Sequence, residues 1–398
     1  MSVGHRLLLA VACGIAVSSI YVAQPMLDSM SRGLGIDAGA SGGLVAVGQI
    51  GYVAGLILLV PLGDVLDRRR VIAVQLALTG VGMFITSVAT EAWVAFAGLA
   101  LAGVFAVVVQ TAVAYTAAVS PASERGRNIG VVTSGVVIGI LGGRFLAGAL
   151  TQAWDWQSVY LILGLLAAAV AVIAFVGLPA DVRENHSPSY GRALRSLVAL
   201  TGERVFWSRG LIAFFVFASF GTLWSGMALP LHASPWHLSE TQVGLFGLAG
   251  LAGALGAARA GSWADAGHVR RVSGIALVLL AGSWVLIGQL PWSLWLLVAG
   301  VVVLDFAVQA VHVGNQHLLT STFPERSSAV VGGYMVFYSL GSALGAIAST
   351  ALYVAAGWSA PSVLGAVFAA CAFIVWGAGR PRNITEARQR TQKKESAP

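Results

Sequence analysis

The sequence predicts an all-α membrane protein built of two related six-helix halves, and three observations predict it. Of the 398 residues 57% are hydrophobic and 10% charged, against roughly 25% charged in soluble domains. The apolar residues gather into twelve runs, each close to the ~20 residues that cross hydrocarbon as a helix. Features of the first half then return roughly 200 residues later: Gln110 is answered by Gln309, Trp156 by Trp358, and the charged loop at Gly63 by one at Gly261.

In order, the first half (1–179) holds runs near 7–30, 42–62, 71–89, 92–118, 128–150 and 157–178. The second half (209–379) holds runs near 209–232, 240–262, 272–290, 293–319, 329–354 and 359–379. The first run is too long for a signal-peptide core and lacks a small-residue cleavage site, so it reads as a retained helix. Between the halves, 180–208 is a polar linker in which Tyr190, Leu194, Leu197 and Val198 share one side, the pattern of an amphipathic helix lying on a membrane surface. The segment 380–398 is basic and polar and is expected to be disordered. An even number of spans puts both termini on one side. All but Arg32, Arg144 and Arg259 of the 23 Lys and Arg fall in segments on that side, which the positive-inside rule identifies as cytoplasmic.

Composition also excludes functions. The net charge of +7 is dispersed among short loops rather than gathered on a folded face, so nucleic acid is not an expected partner. Cys13 and Cys371 lie in apolar runs without metal-type spacing, and neither a disulfide nor zinc is implied. No G-x-x-x-x-G-K-[ST] loop is present, which argues against ATP-driven chemistry. No convergent nucleophile and base point to an enzyme.

The loop Gly63-Asp64-Val65-Leu66-Asp67-Arg68-Arg69-Arg70 carries five charges in eight residues. With Asp67 four residues after Gly63 and Arg68 next, it resembles the G-x-x-x-D-R signature between the second and third helices of the major facilitator superfamily. The resemblance covers the whole chain and implies that superfamily's fold, two pseudo-symmetric six-helix bundles with a substrate site between them. The sequence departs from the signature at Arg70, where the family has glycine, and the second copy keeps Asp265 without a following arginine. The resemblance makes Gly63, Asp64, Asp67, Arg68, Arg70 and Asp265 gating residues. Asp67 would latch onto the positive N-terminal end of the eleventh helix when the cytoplasmic faces close, with Arg68 pairing to Glu124; the plain alternative is a solvated topology anchor.

The fifth helix has glycines at 135, 139 and 143, a four-residue stripe suited to close helix contact. Together with Gly142 these approximate the G-x-x-x-G-P-x-x-G-G pattern of drug:proton antiporters, with Ile140 in place of the proline. Along with Tyr21-Val-Ala-Gln24-Pro25, this is similar to the bacterial efflux-permease branch. By that resemblance the chain is a bacterial inner-membrane secondary transporter with no cofactor, driven by the proton gradient and exporting a small organic molecule or drug. Its partners are that substrate, protons and the lipid bilayer, and it is expected to work as a monomer. The rivals are proton-coupled uptake of a metabolite and a non-transporting sensor.

Arg144 lies well inside an apolar span, which costs several kcal/mol unless the charge is paired or wet. On the tenth helix Asp305, Gln309, His312 and Gln316 follow a 4, 3, 4 spacing and share one face. Asp305 and Arg144 sit at matching depth on their helices, so Asp305 is the candidate proton carrier, Arg144 its tuner and His312 a relay. A permanent Arg144–Asp305 ion pair holding the halves together is the open alternative. Tyr21, Gln24 and Asp28 share a face of the first helix; with Gln49, Gln110, Gln309 and Trp224, the residues Tyr21 and Gln24 are candidate substrate contacts. Phe217 and Phe220 join them as weaker candidates, aromatics in an apolar helix being more often packing. The resemblance favours helices one, four, seven and ten as cavity walls.

Overall fold

Polar caps decide where the apolar runs become helices. Ser2 accepts from the His5 amide, Asp67 from Arg69, Asp155 from Ser158 and Ser293 from Leu296, while Ser239 and Gln242 form a reciprocal capping box; each cap satisfies amides that the first helical turn leaves open. A computed structural model describes residues 1–121, 123–180, 190–257, 269–323 and 326–379.

Twelve principal helices result among the described residues. In the first half they are α1 (Val3–Gly33), α2 (Gly42–Leu58), α3 (Arg68–Ser87), α4 (Ala92–Val119), α5 (Arg125–Ala153) and α6 (Trp156–Gly177). In the second they are α7 (Arg204–His232), α8 (Glu240–Gly256), α9 (Val269–Ile287), α10 (Leu294–Thr322), α11 (Ser327–Ala356) and α12 (Ser359–Ala378). All but α8 are long and apolar enough to cross a membrane over their described residues; the rest of the eighth expected span, with Arg259, Gly261 and Asp265, lies outside the described residues. So do 181–189 of the linker and the segment 380–398. A short helix, Tyr190–Ala199, lies between the halves, and its Tyr190 hydroxyl donates to the Leu58 carbonyl.

α1 is not one continuous helix. Pro25, which has no amide to donate, sits in a 3-10 turn at Gln24–Met26. Beyond the turn, Asp28 pairs with Arg32 at 2.6 Å.

The glycine stripe of α5 packs as its spacing predicts. A Cβ at Gly135 or Gly139 would run into the backbone of α1 at Ala10 or Gly14, and Ser18 of α1 donates to the Gly139 carbonyl at 2.9 Å. The opposite side of α5 meets α8 across the seam between the halves, where a Cβ at Gly247 would lie 3.1 Å from Cβ of Arg144. A second seam joins α2 to α11. Pinning α5 on both sides fixes Arg144 at the centre of the molecule.

Candidate functional site

A cavity of about 840 Å³ lies between the halves. Its mouth is at the end that carries the chain start and the arginine-rich loop at Asp67, here called the basic end: Gly63, Ile129 and Thr133 of the first half face Gln316, Thr320 and Ser327 of the second. Toward the other end it closes at Tyr21, Gln49, Asp305 and Tyr338. The wall is mostly apolar and aromatic, with a few polar groups.

Of the residues singled out in the sequence, Tyr21, Gln49, Gln110, Asp305, Gln309 and His312 are on this wall, as are Phe217, Phe220 and Gln316. The polar face of α10 therefore looks into the cavity. Gln110 donates to the Tyr52 hydroxyl at 3.0 Å, and Gln49 reaches across to Ser342 at 3.3 Å. The His312 ring stands edge-on to Phe217 and has Nδ1 3.1 Å from the Tyr334 hydroxyl.

Gln24 and Trp224 are fully buried and are not among the wall residues; they hold Arg144. Arg144 donates Nε and Nη2 to Gln24 Oε1 at 2.9 and 2.6 Å, and its guanidinium lies 3.8 Å from the centroid of a Trp224 ring. Gln24 donates in turn to Ser225 at 3.2 Å. Arg144 and Asp305 interact electrostatically without ion-pair contact, and the Trp224 indole N–H faces the Asp305 carboxyl; Nη1 of Arg144 is buried without a hydrogen-bond partner. Gly250 makes room for this group, since a Cβ there would lie 2.8 Å from Trp224 and 3.0 Å from Asp305 Oδ2. A buried guanidinium nitrogen without a partner, close to a buried carboxyl group, makes a cluster with a second arrangement within reach.

At the basic end Asp67 caps its own helix α3 and lies 3.6 Å from Arg70 and 3.8 Å from Arg69. Glu124 is exposed and forms no ion pair among the described residues, so the expected Arg68–Glu124 pair is not made. With the cavity open at this end, the state is the one in which an Asp67 latch onto α11 would be released.

Sequence reasoning missed Tyr338 and Tyr52. The Tyr338 hydroxyl hydrogen-bonds that of Tyr21, linking the halves at the closed end, and its ring lies on Phe217 with centroids 3.7 Å apart. A signal was present: Tyr334, Tyr338 and Ser342 recur every four residues along the eleventh run, a polar stripe on an otherwise apolar helix.

The profile of the Major Facilitator Superfamily matches residues 7–232 and again 211–397. The chain is 37% identical over 373 residues to the uncharacterized transporter YgaY of Escherichia coli O157:H7, covering 94% of each. It is 28% identical over 247 residues to the inner membrane transport protein YnfM of Escherichia coli K12, covering 59% of this chain and 57% of YnfM. Its fold is similar to the crystal structure of a bacterial homolog of the human lysosomal transporter Spinster, inward-facing and unoccupied, with a TM-score of 0.76 at 16% identity over 95% of this chain and 98% of that one. Two repeated halves, a cavity between them and a whole-length match to that profile lead to one conclusion: the chain is a multi-pass member of the Major Facilitator Superfamily, a family of transporters and not of enzymes.

Proposed function

We propose that the protein exports a small organic molecule across a bacterial inner membrane in exchange for protons, with the basic end cytoplasmic and the cavity open to the cytoplasm in the state described. The observation that carries this reading is the carboxyl group of Asp305, buried at the closed end of the cavity and out of ion-pair contact with Arg144, one of whose guanidinium nitrogens is buried without a partner nearby. A carboxyl group withdrawn from water holds its proton, and one that pairs with a guanidinium gives it up. Asp305 can therefore load a proton while Arg144 is held by Gln24 and release it when Arg144 turns to Asp305. On this reading Gln24 and Trp224 are positioning residues for Arg144. His312 stands seven residues toward the open end of α10, about 10 Å at the helical rise, so it would relay through water rather than by direct contact.

The apolar, aromatic wall supports a substrate with a substantial apolar surface. The relative YnfM is named for the inner membrane, which supports that location here. The test is counterflow in liposomes with cationic, neutral and anionic organic compounds under an imposed pH gradient. The expected result is uphill movement of at least one compound by the wild type, with Asp305→Asn still exchanging that compound but no longer responding to the gradient. Gradient-driven transport by Asp305→Asn at the wild-type rate would end the carrier role, and failure to move any compound would favour a sensor.

A further inference from the structure

The two halves carry matching arginine pairs at the basic end, and among the described residues only the first pair is set against an acid. In the first half Arg69 reaches from the start of α3 toward α6, with its guanidinium 5.6 Å from the Phe175 ring centroid and Nη1 3.5 Å from the Leu178 carbonyl. In the second half Arg270 does the same from α9 toward α12, 5.1 Å from the Trp376 ring and 2.8 Å from the Gly379 carbonyl. Asp67 sits against both Arg69 and Arg70. Its counterpart in the second copy, Asp265, lies outside the described residues, and among the described residues Arg270 and Arg271 are in no ion pair. Beside them, between α9 and α12, is a groove of about 410 Å³ with an almost wholly apolar wall of Gly274, Ile275, Val278, Phe373 and Trp376, and Arg271 at its rim.

We propose that this groove binds one anionic phospholipid, with an acyl chain along the apolar wall and the phosphate at Arg271 and Arg270. Ile275, Val278 and Ile374 are exposed apolar side chains on helices long and apolar enough to span a membrane, where acyl chains are the available neighbours. Gly274 lets the Trp376 indole lie in the groove wall, because a Cβ there would fall 2.6 Å from the ring. The Trp376 Nε1–H is buried without an acceptor, so it is a donor beside the arginines for a headgroup or ester oxygen; tryptophan at the membrane interface commonly has this amphipathic placement. Guanidinium groups bind phosphate through paired N–H donors, and among the described residues the groove wall contains no acidic side chain to compete. Phosphatidylglycerol meets these requirements; phosphatidylcholine supplies the same chains and phosphate with its charge cancelled.

The test uses the full chain in an uncharged detergent, titrated with phosphatidylglycerol or phosphatidylcholine brominated on the acyl chains. The part of the tryptophan fluorescence that is lost in Trp376→Phe reports the groove. Each basic residue near an anionic headgroup contributes about 1 kcal/mol, roughly a five-fold change in binding. Phosphatidylglycerol should therefore quench the Trp376 component at a mole fraction at least five-fold below that of phosphatidylcholine. Arg271→Gln should remove most of that preference and Arg270→Gln with Arg271→Gln all of it, whereas Arg69→Gln should leave it unchanged. Equal quenching by the two lipids in the wild type, or an unchanged preference in the double variant, would overturn the site. Displacement by millimolar glycerol phosphate would overturn the lipid assignment in favour of a free phosphate ligand.

Discussion

The two ends of the seam between the halves are built from the same helices and behave oppositely. At the end away from the basic loop the halves are stitched: Gln24 bonds Ser225, Gln49 bonds Ser342, Tyr21 bonds Tyr338, Ser29 bonds Glu240, and the Gly42 amide donates to Thr350 at 3.2 Å. At the basic end the same helices stand apart around the cavity. All five first-half partners belong to α1 and α2, and four of the five bonds join neutral groups, the fifth running from the Ser29 hydroxyl to the Glu240 carboxyl. Neutral hydrogen bonds contribute about 0.5–1.5 kcal/mol each, so the closed end is held by several modest bonds that can be exchanged for others rather than by one strong lock. Behind the cavity's closed apex, Arg144 adds two charge-assisted bonds to Gln24.

The largest break in the comparison should come from Arg144→Gln. The variant loses two charge-assisted hydrogen bonds to Gln24, each worth about 1.5–3 kcal/mol, and the stack on Trp224. A marked fall in thermal unfolding temperature in detergent is the expected outcome. If the charge of Asp305 is what Arg144 offsets, adding Asp305→Asn restores much of the loss; if Gln24 is the only partner that matters, the second substitution adds its own cost.

Next in size is Gly42→Val. A Cβ at Gly42 would collide with the Ala346 carbonyl and lie 2.7 Å from the Thr350 hydroxyl, so the stitched end cannot keep its present spacing. Overpacking of this kind costs about 1–3 kcal/mol, charged against the state described and not against one in which α2 and α11 part at that end. Labelling of a cysteine at Thr133, on the cavity wall near the basic end, should fall in a background without Cys13 and Cys371. Unchanged labelling would mean that the α2–α11 seam does not open.

Much of this difference was legible in the sequence, and its unread part has a physical cause. Twelve apolar runs, the repeat and the α5 glycine stripe follow from periodicity and length, which depend only on local chemistry. Arg144 and Asp305 stood out because a charge in hydrocarbon demands a partner. Gln24 as that partner could not be read, because the 3-10 turn at Pro25 decides where the Gln24 side chain goes. Trp224 resembled a substrate contact until its ring was found under the guanidinium. The stitching of Tyr21 to Tyr338 joins residues 317 positions apart, a pairing that no local pattern encodes.

Tyr338→Phe sharpens the comparison at lower cost. It deletes one neutral hydrogen bond between the halves and keeps the ring against Phe217, so about 0.5–1.5 kcal/mol should be lost from the closed end alone. That predicts a roughly two- to ten-fold fall in Thr133→Cys labelling at little change in unfolding temperature. A fall in unfolding temperature with no change in labelling would make the bond structural support.

The smallest effect should come from Asp67→Asn, and it separates two uses of one carboxylate. In the state described Asp67 caps α3 through the Arg69 amide at 3.0 Å and lies near Arg69 and Arg70. Asparagine caps a helix about as well as aspartate, so the cap survives the substitution and only the charge is removed. A charge at a helix N-terminus contributes about 0.3–1 kcal/mol. If that charge acts only on α3, both conformations lose it equally and access to the cavity does not change. If Asp67 also meets the N-terminus of α11 when the basic end closes, only the closed-basic-end state loses that contact, and the balance moves toward the open one. The expected outcome is a rise of roughly two- to five-fold in Thr133→Cys labelling, opposite in sign to the change in Gly42→Val and Tyr338→Phe. Labelling equal to that of the parent would reduce Asp67 to a helix cap and topology anchor.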